Sequence, residues 1–168
     1  MTDSTSTRIH SWGPRQRDYT SWLLGLRYLS EREATVIAEL YRNDAGYTRE
    51  ETRVFFEAAR AAAGNPALQR IVSQAAASGY ARPNPMRNYV SLRVSQKEPF
   101  DIFYFTPALT AIVNADDESW TVIPELLYTG FTNIERRLRG QWNCGAALTE
   151  YNEKAVEGRV ALRLPYFL

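Results

Sequence analysis

Charged residues in this chain recur at spacings that put them on one side of an extended backbone. Arg137 and Arg139 stand two apart, Arg159 and Arg163 four apart, and Glu125 and Glu135 obey the same alternation in their own segments. Arg27, Glu39 and Arg93 extend the set. Fixed charge ranked along a polar surface attracts and passes ions and polar solutes; it does not by itself make or break bonds. Bond-making chemistry has few other candidates. His10 is the only histidine, so a Ser–His–Asp triad or an HExxH zinc site would depend on a residue in the polar N-terminal stretch. No glycine-rich phosphate loop is present. Asp116, Asp117 and Glu118 are adjacent rather than spaced as in a calcium loop, and read as a solvated turn. Cys144 is the single cysteine, which excludes an internal disulfide and a CxxC site and reads as a plain loop thiol. The expectation is a protein that is not an enzyme and carries no cofactor or metal.

Composition sets outer limits. At 168 residues the chain can build one domain, and its formal charge of +1 gives no bulk attraction to nucleic acid. No apolar run approaches the ~18 residues of a membrane-spanning helix. The opening "MTDSTSTRIHSWG" lacks the apolar core of a signal peptide, and residues 1–17 are expected to form a mobile tail.

The elements that must position the charges are strands. Period-two alternation predicts them at Asp18–Leu29, Arg32–Tyr41, Asn88–Ser95, Phe100–Val113, Glu118–Tyr128, Thr132–Trp142 and Gly158–Leu168. Between the second and third lies a different pattern, residues 46–80. Thr48 and Glu51 have capping-box spacing ahead of a run rich in Ala, Arg and Glu, and Gly64-Asn65-Pro66 breaks that run before a second helix. A helical hairpin inserted in one long loop is expected. Connections alternate between short ("SERE", "QKEP", "TGFTN") and longer, with "NADDE" the weakest of the long ones.

Alternation leaves open which solvent the apolar face meets. Trp22, Trp120 and Trp142 fall near one end of their strands, and Tyr28, Tyr128 and Tyr166 near the other, all on the apolar face. Amphipathic rings at two levels are what two membrane interfaces favour, whereas in a soluble sheet they would cap the ends of a core. A ten-residue strand tilted by ~40–45° spans roughly 25 Å, the height of the apolar band of a barrel. Val54, Phe55 and Phe56 are the only bulky apolar residues of the first insert helix, too few to cover such a sheet. Two readings follow: an antiparallel up-and-down transmembrane β-barrel passing small polar solutes through a charged lumen, or a soluble α+β protein whose curved antiparallel sheet binds a small apolar ligand.

The segments "LLGLRYLSEREATVIAELYRN", "RVSQKEPFDIFYFTPALTAIVN" and "IPELLYTGFTNIERRLRG", with the ending "ALRLPYFL", resemble strands of bacterial outer-membrane β-barrel proteins, porin-like in the broad sense. Leu168 stands where that family usually ends in Phe, and Pro165 interrupts the last strand. The resemblance implies an all-β fold in the outer membrane of a Gram-negative bacterium. It implies as partners the lipid bilayer, the assembly machinery engaged through the C-terminal strand, and small polar solutes. The lumen would be lined by Arg27, Glu39, Arg93, Glu125, Glu135, Arg137, Arg139, Arg159 and Arg163. The membrane girdles would be Trp22, Tyr28, Trp120, Tyr128, Trp142 and Tyr166. About seven strands is an odd number where such barrels have even ones, so the chain is expected to be either a single barrel domain over 1–168 or the C-terminal portion of a larger barrel. Missing N-terminal strands or another chain would then close it. For the hairpin at "TGFTN" a five-residue turn is expected, setting Trp120 opposite Trp142 and Glu125 opposite Arg137.

Overall fold

Alternating apolar and polar residues generate seven strands: β1 (Ser21–Leu29), β2 (Ala34–Asn43), β3 (Asn88–Gln96), β4 (Phe105–Asn114), β5 (Trp120–Phe131), β6 (Ile134–Cys144) and β7 (Gly158–Arg163). Each pairs antiparallel with the next, giving one up-and-down sheet in chain order. The computed structural model describes residues 19–80 and 82–167; the expected tail 1–17, with His10, and the terminal Leu168 lie outside them. The sheet is open. β1 and β7 are its two edges and do not pair with each other.

Register keeps the faces pure across every strand pair. Leu26 meets Ala38, Ala38 meets Leu92, and Leu92 meets Ala111. Ala111 meets Val122, and Leu126 meets Leu138, which meets Leu162. A one-residue slip anywhere would carry an apolar set onto the charged face, which is why each register is tightly specified.

The β5–β6 hairpin reaches its register by a route other than the expected five-residue turn. β5 continues to Phe131, and only Thr132 and Asn133 lie between the strands, with Asn133 in the left-handed region at φ 62°. A two-residue turn alone would exchange the faces; a bulge between Tyr128 and Phe131 inserts the residue that restores them. The outcome is a two-residue shift. Trp142 faces Val122, Trp120 faces Cys144, and Glu125 faces Arg139 rather than Arg137. At the turn the Arg136 guanidinium sits 3.9 Å from the centre of the Phe131 ring, so this charge on the apolar face has an aromatic partner.

Pro124 leaves a local gap in the ladder without shifting register: pairing resumes at Glu125 with the same offset it has at Val122. Pro124 packs beside Gly140, where an added Cβ would come within 2.5 Å of the Trp142 ring, so glycine there makes room for that indole.

The connections are less asymmetric than their sequence suggests. Residues 100–104 do not extend β4. Phe100, Asp101 and Tyr104 take left-handed backbone angles, and the chain between β3 and β4 runs from Lys97 to Tyr104, longer than the β4–β5 link at Ala115–Ser119. At the other chain end β7 stops at Arg163, because Pro165 has no N–H to donate. Pairing persists in fragments: Glu135 N donates to Pro165 O, Phe167 N donates to Asn133 O, and Tyr166 bridges Ile134.

The insert forms two helices, α1 (Arg49–Ala61) and α2 (Pro66–Ala75), followed by a wide turn over Ala76–Tyr80. Thr48 and Glu51 close the capping box, and Asn65 caps α2 ahead of Pro66. The insert carries a small aromatic core of its own, with Tyr80 stacked on Phe55 at 3.8 Å and on Tyr47 at 4.2 Å. It stands at the end of the sheet that bears the β4–β5 and β6–β7 connections, tied to them by Arg49–Glu118 at 3.8 Å and Arg60–Glu153 at 2.6 Å.

Candidate functional site

The two faces of the sheet have opposite character, and burial follows the unexpected one. On the apolar face Leu26, Leu92 and Leu162 are 70%, 45% and 63% exposed. On the charged face Thr121, Ile123 and Glu125 are buried. In a soluble half-sheet the apolar side would be the buried one.

All nine predicted charges lie on the second face, as the register requires: Glu39 pairs with Gly25 and Ser91, Arg93 with Ile37 and Thr110, Glu125 with Ala108 and Arg139. Arg27 faces Ile37, and Arg137 faces Leu127 and Arg163. Arg159 faces Gln141. The centre of the face is an ion-pair chain. Glu125 is 3.2 Å from Arg93 and 3.8 Å from Arg137, and Arg137 reaches Glu135 at 2.9 Å. Arg93 also donates to Thr110 Oγ1, and Ser91 Oγ donates to Glu39. Glu125 is the hub; the buried carboxylate is compensated from both neighbouring sides.

The six aromatic residues proposed for two levels also separate by end. Trp22, Trp120 and Trp142 stand toward the end carrying the insert; Tyr28, Tyr128 and Tyr166 stand toward the hairpin turns. All three tryptophans are exposed, as are Tyr28 and Tyr166, while Tyr128 is half-buried against Phe131.

At the insert end the β6–β7 connection folds inward, which its sequence did not announce. Thr149, Glu150 and Tyr151 are buried. Glu150 Oε2 accepts from Tyr89 OH at 2.6 Å and from Asn114 Nδ2 at 2.8 Å, while Lys154 Nζ lies 3.3 Å from Oε1. Asp117 anchors the loop from below, accepting from Ser119 N, Ser119 Oγ and Glu150 N. Asp116 accepts from the backbone N–H groups of Arg87 and Asn88 and from Asn88 Nδ2. The reading of Asp116, Asp117 and Glu118 as a solvated turn is therefore corrected: Asp116 and Asp117 are structural acceptors, and only Glu118 is exposed. The legible signal was Asp117 two residues before Ser119, an Asx-turn spacing. Among the described residues no group of three or more His, Cys, Asp or Glu side chains could hold a metal ion. Cys144 is exposed opposite Trp120.

Burial pushes the Glu150 carboxyl above its ordinary value of 4.5, against the pull of its donors Tyr89, Lys154 and Asn114. The folded loop thus holds a proton more tightly than the open one. Its stability falls as pH climbs from about 4.5 through the raised value and levels off above it. Amide hydrogen exchange at Thr149–Tyr151, corrected for intrinsic rates, should show protection declining over that window, and Glu150→Gln should flatten the decline. Protection that grows with pH would show that the donors outweigh burial.

Comparison with protein-family models, curated proteins and solved structures finds no match to this chain.

Proposed function

We propose that this sheet is a wall of an outer-membrane β-barrel. Its apolar face meets lipid, and its charged face lines a water-filled lumen that passes small polar solutes. The observation that carries the reading is the inversion of the sheet: bulky aliphatic side chains stand exposed on one face while the charged face holds the buried groups. No helix among the described residues is long and apolar enough to cross a membrane, so spanning would fall to the strands.

Closure requires further strands on the free edges of β1 and β7, because an open edge in lipid leaves backbone donors and acceptors unsatisfied. Those strands would come from a longer chain of which this is the C-terminal portion, or from another chain. The segment ending "LPYFL" would engage the assembly machinery, and the insert and β6–β7 loop would stand on the outer side of a Gram-negative outer membrane. The tryptophans would mark the outer interface and the tyrosines the inner one.

The test is fractionation of the cells that make the protein naturally, detected with an antibody to this chain and combined with protease treatment of the intact cells. The expected result is recovery in the outer-membrane fraction, with cleavage confined to the insert and the β6–β7 connection. Recovery of folded, monomeric protein in the soluble fraction would remove the proposal and favour a soluble sheet that binds a small apolar ligand.

A further inference from the structure

We infer that the β6–β7 end of the charged face is a binding site for a small oxyanion, a solute carrying two or more negative charges on phosphate or carboxylate groups. The inference rests on the lumen reading for its place in transport, but its geometry stands on the sheet alone.

Arg137 and Arg163 are direct cross-strand partners, a like-charge pair that opposes folding unless something neutralises it. Arg139 and Arg159 complete a group of four around a recess of about 140 Å³, floored by Gln141 and Ala161. The available acids are already used. Glu135 and Glu125 are drawn to Arg137, and Glu125 is shared with Arg93. Arg159 donates to the neutral Gln141 Oε1. Arg139 stands opposite Glu125, but among the described residues neither its guanidinium nor that of Arg163 makes an ion pair or a side-chain hydrogen bond.

Guanidinium groups present planar pairs of donors that match the oxygens of carboxylate and phosphate, so the unmet valence here selects oxyanions over halide. Residues two apart on one strand and opposite on the next lie within about 5–7 Å, a span that a polyvalent ligand can bridge. Ala161 opposite Arg139 leaves space above the sheet where a larger side chain would fill it.

The experiment titrates the detergent-folded full chain with inorganic phosphate, citrate and chloride by calorimetry, with membrane partition of the same preparation measured in parallel. Saturable binding of phosphate or citrate, with no binding of chloride, is expected. The two ligands distinguish a phosphate from a carboxylate preference. Arg139→Gln with Arg163→Gln should weaken binding by about tenfold or more. Arg32→Gln, in the exposed β1–β2 turn and outside the charged face, should leave it within about twofold. Should the double glutamine variant misfold by circular dichroism, Arg139→Lys with Arg163→Lys keeps the charge and removes the fork, and it should still weaken binding measurably. No oxyanion binding by the wild-type chain, or equal binding by the folded variant, overturns the site. Binding by a chain that does not enter membranes upholds the site and removes only the lumen; insertion without binding removes only the site.

Discussion

Leu92→Arg is expected to cost the membrane-inserted protein about 2–4 kcal/mol, the penalty of an arginine on the lipid face near the bilayer midplane. Leu92 is central in β3 and 45% exposed. Its cross-strand neighbours on that face are Ala38 and Ala111, so a longer side chain meets no clash. The substitution therefore reads the solvent rather than the packing. In water an exposed Leu→Arg change stays within about 0.5 kcal/mol and aids solubility. Equilibrium unfolding in guanidinium, followed by tryptophan fluorescence in lipid vesicles, measures the difference. A shift of that size places this face in hydrocarbon. An unchanged midpoint, or a gain, would mean the face is wet or covered by protein, and the barrel reading would fall with it.

Asp117→Ala should release the β6–β7 loop while leaving the far side of the sheet intact. Asp117 is 3% exposed, and its carboxylate accepts from three donors on buried residues. Orphaning a buried donor costs about 1–3 kcal/mol, and the three are coupled through Ser119, so a total near 3–5 kcal/mol is expected. Ser119 Oγ also accepts from Tyr151 N, so the loss propagates to the residue at the centre of the loop. Hydrogen exchange at Thr149–Tyr151 should accelerate at least about hundredfold, while amides of the β1–β2 pair keep their rates. Unchanged exchange in the loop would show that Glu150, through Tyr89 and Asn114, holds it without Asp117.

Periodicity alone determined the seven strands, their partition into an apolar and a charged face, and the helical hairpin with its caps. These depend on local alternation, on the Thr48–Glu51 spacing and on Pro66, all of which act within a few residues. The nine charges shared a face for the same reason: parity along a strand is a property of the chain, and every register in the sheet preserves it.

Which residues stand opposite one another was decided by the tertiary structure, although Glu125 keeps the expected ion pair with Arg137 at 3.8 Å. A bulge of one residue between Tyr128 and Phe131 moved Arg139 opposite Glu125 and drew Trp142 away from Trp120, and no alternation pattern distinguishes a five-residue turn from a two-residue turn with a bulge. Residues 100–104 alternate like a strand yet turn, because Pro99 and a series of left-handed residues break the pairing that alternation presumes. The inward fold of Thr149–Tyr151 was illegible for a different reason. A buried glutamate looks like a loop glutamate until Tyr89 and Asn114, brought from two other strands, supply the donors that make its burial tolerable.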